Sequence, residues 1–435
     1  MSDLTRRPVA PRPRTGLVLL AVLVALAIVA AACGSTSRSA RGVVETRSNV
    51  PRSSEAGVSP SAAVTATDAL AVALYRRLAA GDDNLAFSPL SIEVALAMVR
   101  NGARGGTRTQ MDRVLGAPAG TVLDDSLNAL TLALVSRAGA QKDDEGRKGD
   151  VALSLADAVW SQKGLALQPP FLDVLARDYG VGVSPTDFAD LEAARQAVNR
   201  WASDQTHGRI TDLVPDGGLP VQTLMVLANA LYFRAPWGTD FARRGDRPFT
   251  DASGSTRPVP TMTGGDGGAV IGFGSGSGWR AAEIPYLGSK LSMVVIEPDD
   301  LHAFERTLDG PELAAITSHL DEGLAELQLP MFKFHPPSFS LKGALSDMGM
   351  PTAFSDAADF SGITHAVALK IADVYHQAYV AVDEHGTEAA AATAVVMEPV
   401  MARGGATFVV DHPFLFAIRD RSTGAILFLG RVTQP

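Results

Sequence analysis

The chain has 435 residues, 46% apolar and 20% charged, the balance of a folded globular protein with a large core. Its formal charge is −9; four arginines against one aspartate in the first 32 residues leave the remainder at −12, which argues against a nucleic-acid partner. The single cysteine, Cys33, excludes internal disulfides and cysteine-built metal sites or nucleophiles in the folded region.

Arg6 to Arg14 form a basic, Pro-interrupted stretch, followed by an apolar run from Leu17 to Ala32. That run of about 16 residues is short for a spanning helix and long enough for a signal sequence. It ends Ala30-Ala31-Ala32-Cys33-Gly34, which resembles a bacterial lipobox with Ala30 where leucine is usual. The resemblance implies export, cleavage before Cys33, and a diacylglycerol on its sulfur that holds the protein on the outer face of the cell membrane. A plain signal peptide and an uncleaved anchor helix are the alternatives. Residues 33–64 are rich in Ser, Thr, Arg, Gly and Pro and read as a flexible tether, because they can bury too little surface to offset ordering entropy.

Helical signals crowd the next third. Asp68 to Leu78 carries apolar residues at helical spacing. Ser88-Pro89 is a helix start, a capping hydroxyl before a residue suited to the first turn; the helix runs through Ile92, Val94, Ala95 and Met98 to Asn101-Gly102. Thr107 with Gln110 reads as a capping box, and Gly116 stops that helix. Residues 138–150 read as an exposed loop, and the Gly/Ser-rich residues 264–278 as a mobile hairpin tip.

Later segments read as strands. Leu153 to Val159, Thr223 to Phe233 and Leu291 to Ile296 are short apolar runs typical of covered sheets. Phe414 to Ile418 and Ala425 to Leu429 flank a polar turn and read as a buried hairpin. Helices grouped early and strands grouped late predict an α+β fold. No nucleophile elbow, zinc-binding histidine pair, P-loop or dinucleotide fingerprint is present. Ser88, His376 and Asp373 can be drawn as a triad on paper, but nothing in the sequence brings them together, so no enzymatic activity is expected.

Residues 383–400, DEHGTEAAAATAVVMEPV, admit two local states. Read locally, Thr387 caps an Ala-rich helix. Read with period two, Thr387, Ala389, Ala391, Thr393, Val395 and Met397 share one face, while Glu388 and Glu398 fall together on the other. Such a strand can lie in a sheet with small residues inward and carboxylates toward water.

Several segments resemble those of the serpin family, in the family's order. They are NLAFSPLSIEVALAM (84–98), NGARGGTRTQMDRVLG (101–116), NRWASDQTHGRI (199–210), VLANALYFRAPW (226–237), Ile284 to Tyr286 with Leu291 to Pro298, residues 341–362, and DHPFLFAIRDRSTGAILFLGRV (411–432). The chain is identified as a member of that family over residues 65–435, of inhibitory type. Membership implies one domain of three β-sheets and eight or nine helices, with an exposed reactive loop.

The resemblance implies further roles, residue by residue. Glu384, Gly386, Thr387, Glu388, Ala389, Ala390, Ala391 and Ala392 match the hinge of inhibitory members. The cleaved bond falls between Val400 and Met401, with Met401 or Arg403 as the specificity residue if the register slips. Ser88, Ser91, Asn229 and His376 match the polar cluster where the main sheet parts, although each taken alone reads as a helix cap or a satisfied core group. Trp237 matches the tryptophan at the top of that sheet; its plain alternative is core packing. The implied partner of this monomeric inhibitor is a serine protease, elastase-like or chymotrypsin-like for Val400 and trypsin-like for Arg403. No metal or cofactor is implied. A non-inhibitory ligand-binding or scaffold role is the alternative.

Overall fold

The computed structural model describes residues 45–54, 57–143, 146–264, 269–318, 320–388 and 406–435. The leader, Cys33, the start of the tether, Ala389 to Ala392, Val400, Met401 and Arg403 lie outside the described residues.

Nine α-helices occur among the described residues: α1 (Ser61–Leu78), α2 (Pro89–Arg100), α3 (Gly105–Val114), α4 (Val122–Val135), α5 (Pro169–Val174), α6 (Leu191–Gln205), α7 (Leu301–Thr307), α8 (Gly310–Ser318) and α9 (Lys342–Asp347). The start of α2 is as its sequence dictates, with Ser91 N donating to Ser88 Oγ at 3.1 Å and Pro89 in the first turn. The capping box expected at the start of α3 does not form. Thr107 and Gln110 lie inside α3 and instead accept from the backbone N–H groups of Asp359 (2.9 Å) and Thr352 (3.0 Å), pinning a distant loop. Gly116, with φ of 57°, takes the left-handed position just past the end of α3.

The strands fall into three sheets. A seven-stranded sheet contains β2 (Gly139–Lys142), β3 (Lys148–Gln162), β4 (Val183–Thr186), β5 (Met225–Pro236), β12 (Phe332–Phe334), β15 (Val380–Asp383) and β16 (Gly386–Thr387). A ten-stranded sheet holds β1 (Leu85–Phe87), β6 (Phe241–Thr250), β7 (Thr256–Gly264), β8 (Ala269–Gly276), β9 (Trp279–Pro285), β10 (Leu291–Pro298), β11 (Asp321–Pro330), β17 (Ala406–Val409), β18 (Phe414–Asp420) and β19 (Ile426–Val432). β13 (Phe339–Ser340) and β14 (Tyr375–His376) form a third, two-stranded sheet. The expected hairpin of β18 and β19 is buried throughout, as is β10, because both faces of these strands meet other layers.

Three loop expectations are corrected. Residues 139–142 and 148–151 pair as the edge hairpin of the seven-stranded sheet, and Ala269–Gly276 pairs with both β9 and β11. Polar and glycine-rich composition hid these strands because their partners, not their side chains, hold them. The C-terminal part of the expected tether is also docked. Thr46 exchanges backbone bonds with Val183 at 2.8 and 2.9 Å, Arg47 donates to Gly180 O at 2.6 Å, and Arg52 donates to Asn128 and Thr131 at 2.9 Å each. These anchors are polar, so an apolar-burial criterion does not detect them.

Candidate functional site at the top of the main sheet

In the seven-stranded sheet the order runs β12-β15-β16-β5-β3-β2. The two residues of β16 are the only ladder between β15 and β5 among the described residues: Thr387 pairs with Val382 and Ala235, and Gly386 with Asp383 and Pro236. Below β16, the edge of β5 from Met225 to Arg234 has no partner strand on that side among the described residues. At about 3.3 Å per residue this opening is about 33 Å long.

The turn that delivers β16 is built by Asp383, whose Oδ1 accepts from His385 N (2.8 Å) and Gly386 N (3.2 Å). Gly386 has φ of 152°, and a Cβ here would collide with the carbonyl of Ala235 and with Pro236, so only glycine fits between the strands. Trp237 closes the top: its indole Nε1 donates to Asp383 O at 2.8 Å and its backbone N to His385 O at 3.1 Å. Its ring stacks on Tyr286 with centroids 4.7 Å apart and planes at 7°. The Tyr286 hydroxyl meets Thr387 Oγ1 at 2.5 Å in a fully buried position, and burial raises the phenol's pKa so that it stays protonated. Glu388 directly follows β16 and forms an ion pair with Arg209, whose guanidinium lies 5.3 Å over the Tyr379 ring.

The family model described as Serpin (serine protease inhibitor) matches residues 65–435. The chain belongs to the serpin family. An uncharacterized serpin-like protein of Thermococcus kodakarensis is 37% identical over 386 residues, covering 86% of this chain and 85% of its own. The leukocyte elastase inhibitor of Bos taurus is 35% identical over 364 residues, covering 81% of this chain and 93% of its own. The native crystal structure of tengpin, a thermophilic serpin, superposes with a TM-score of 0.75 at 26% identity, covering 86% of this chain and 94% of that one. The α+β serpin fold follows, and with it protease inhibition as the family's activity rather than catalysis.

The cluster expected under the centre of the serpin's main sheet assembles in part. Ser88 N donates to His376 Nε2 at 3.0 Å, and Ser91 N to Ser88 Oγ. Burial pushes the His376 pKa down to about 4, so the ring is neutral and carries its proton on Nδ1. Asn229 turns elsewhere, donating through Nδ2 to Asp157 Oδ1 at 2.6 Å across the β3/β5 ladder. Asp157, pushed up to about 6 by burial against the lowering effect of Asn229, went unmarked in the sequence because a lone aspartate in an apolar run carries no signal. The paper triad does not form: Ser88 caps a helix, and Asp373 Oδ1 accepts from Ser340 Oγ at 2.6 Å.

Tyr286, Asp383, Arg209 and Tyr379 were also missed as site residues. Their roles depend on partners up to 179 positions away in the chain, as for Arg209 and Glu388. Glu297, Asp411 and His412 form the one cluster of histidine and carboxylates, among the described residues, close enough to share a cation. Arg280 Nε (2.7 Å) and the backbone N–H groups of Asp411 and His412 (3.1 Å each) already bind the Glu297 carboxylate.

Proposed function

We propose that this serpin inhibits a serine protease as a suicide substrate. The protease attacks the Val400–Met401 bond and forms an acyl-enzyme. The freed segment then enters the main sheet as a new strand, carrying the protease with it before deacylation. Fifteen residues from Gly386 to Val400, at about 3.3 Å each, would move the ester about 50 Å.

The observation that carries this reading is the seat of Gly386 and Thr387 between β5 and β15, directly above the unpartnered edge of β5. A strand can lengthen there without breaking any ladder formed among the described residues. Thr387, small and already inside, presents no charge to bury at the first step. The name of the bovine relative supports an elastase-like target, as does Val400, which suits a shallow apolar pocket. The cysteine at the end of the leader supports a lipid anchor at Cys33 that places the inhibitor outside the cell.

The test incubates residues 45–435 with an elastase, a chymotrypsin and a trypsin. An SDS-resistant complex and a released peptide beginning at Met401 are expected. Clean cleavage with undiminished protease activity would instead mark a non-inhibitory member. Incorporation of radioactive fatty acid, lost in Cys33→Ser, checks the anchor.

A further inference from the structure

Glu388 is a non-glycine residue with φ of 50°, in the left-handed region that L side chains rarely adopt. Its N–H still donates to Ala381 O at 2.8 Å, so it is the last residue in register with β15. A conformation of this kind persists only where its surroundings over-determine it.

Arg209 and the Tyr232 hydroxyl, both bonded to its carboxylate, are what surround it. Arg209 lies four residues past the end of α6, in a turn where His207 and Gly208 have φ of 51° and 78° and Arg209 N donates to Thr206 O at 3.0 Å. Helix α6 is bound to the face of the main sheet through the cluster of Trp160, Val198, Ala202, Ile210 and Ala228. From that fixed base the guanidinium bonds the Glu388 carboxylate, which is only 8% exposed, and stacks on Tyr379 just ahead of β15. The neighbouring His207 ring packs 4.6 Å from Tyr232 on β5. The turn therefore touches both walls of the opening immediately below Thr387, and its one cation holds the residue that would have to enter next.

We propose that Arg209 is a positioning residue that latches the hinge at Thr387: it sets how far the hinge is inserted in the uncut protein and is released when residue 388 becomes extended. This rests on the inhibitory reading above. The latch keeps the uncut hinge from creeping inward and adds a release step to insertion after cleavage. An ion pair of this exposure accounts for up to about a fivefold effect on that step.

The experiment mixes the protein with excess protease in a stopped-flow instrument and follows tryptophan fluorescence, Trp237 being the reporter beside the hinge. Arg209→Gln is expected to raise the limiting rate about fivefold, Glu388→Gln to do the same, and the double variant to be no faster than either. Arg209→Lys, which keeps the charge, should stay within about twofold of wild type. Thermal unfolding of the cut proteins should be alike, because the latch acts before insertion. If Arg209→Gln inserts at the wild-type rate or slower, or if the two single effects multiply, the latch is wrong. Failure of the inhibitory reading looks different: cut wild-type protein then shows neither the fluorescence change nor a gain in thermal stability.

Discussion

Thr387→Arg gives the most direct test of hinge entry. Thr387 is 3% exposed, and its hydroxyl is the partner of the buried Tyr286 hydroxyl. Replacing it orphans that phenol, at about 1–3 kcal/mol. An arginine must also bury its guanidinium against Tyr286 and Trp237, where no carboxylate among the described residues bonds to either side chain, at a further several kcal/mol. Together these exceed about 5 kcal/mol. At about 1.4 kcal/mol per decade, insertion slows by about 10³–10⁴. Deacylation then wins, and the protein becomes a substrate. The assay measures SDS-stable complex formed and inhibitor molecules consumed per protease inactivated. A covalent complex persisting at wild-type stoichiometry would refute the reasoning. Thr387→Val separates the two costs: it orphans the same phenol but buries no charge, so complex formation should survive with lower native stability.

Gly386→Val should cost about 1–3 kcal/mol in urea unfolding, because the new Cβ meets the Ala235 carbonyl and the native φ is strained for any L side chain. Asp157 has its folded pKa raised from 3.8 to about 6, so its carboxyl favours the folded state in acid, and that contribution is lost as pH rises through this window. Asp157→Asn should therefore add up to about 3 kcal/mol at pH 8 and nothing below pH 3.8, read from unfolding curves at both pH values. His376 has the opposite sign: its folded pKa is lowered from 6.5 to about 4, so stability falls as pH drops through that range, by about 3 kcal/mol in full. His376→Gln, which can still accept from Ser88 N, should flatten that part of the acid limb; an unchanged limb would show that the ring does not stay neutral.

Features set by contiguous residues were legible in the sequence. Ser88-Pro89 starts its helix with the expected cap, the runs 153–159 and 291–296 lie within β3 and β10, the run 223–233 begins two residues before β5 and continues in it, and Gly116 ends α3. Features set by a distant partner were not. Thr107 and Gln110 have the spacing of a capping box, yet the backbone at 352 and 359 competes for their oxygens and wins. Asn229 was placed with His376 by resemblance, and the aspartate opposite it on β3 takes its amide instead. The left-handed φ of Glu388 has no sequence signature, since alanine-rich segments adopt strand or helix with equal ease and the arginine that fixes it comes from another element.

The directions of the strands explain why the opening is suited to receive one. Each direct pairing along β12-β15-β16-β5-β3-β2 is antiparallel. Remove β16 and its neighbours β15 and β5 run parallel, a pairing with slanted and slightly weaker bonds and none formed here among the described residues. A strand continuing from Thr387 runs opposite to both, so it extends the alternation and gives partners to the backbone groups along ten residues of β5. Ser91 Oγ on α2, Asn229 Oδ1 on β5 and Gln377 Oε1 just past β14 are among the buried side-chain atoms with no hydrogen-bond partner among the described residues. Native structures rarely leave such atoms unmet, and each costs about 1–3 kcal/mol. Of these, Asn229 Oδ1 belongs to β5 itself, the strand that a new neighbour would meet.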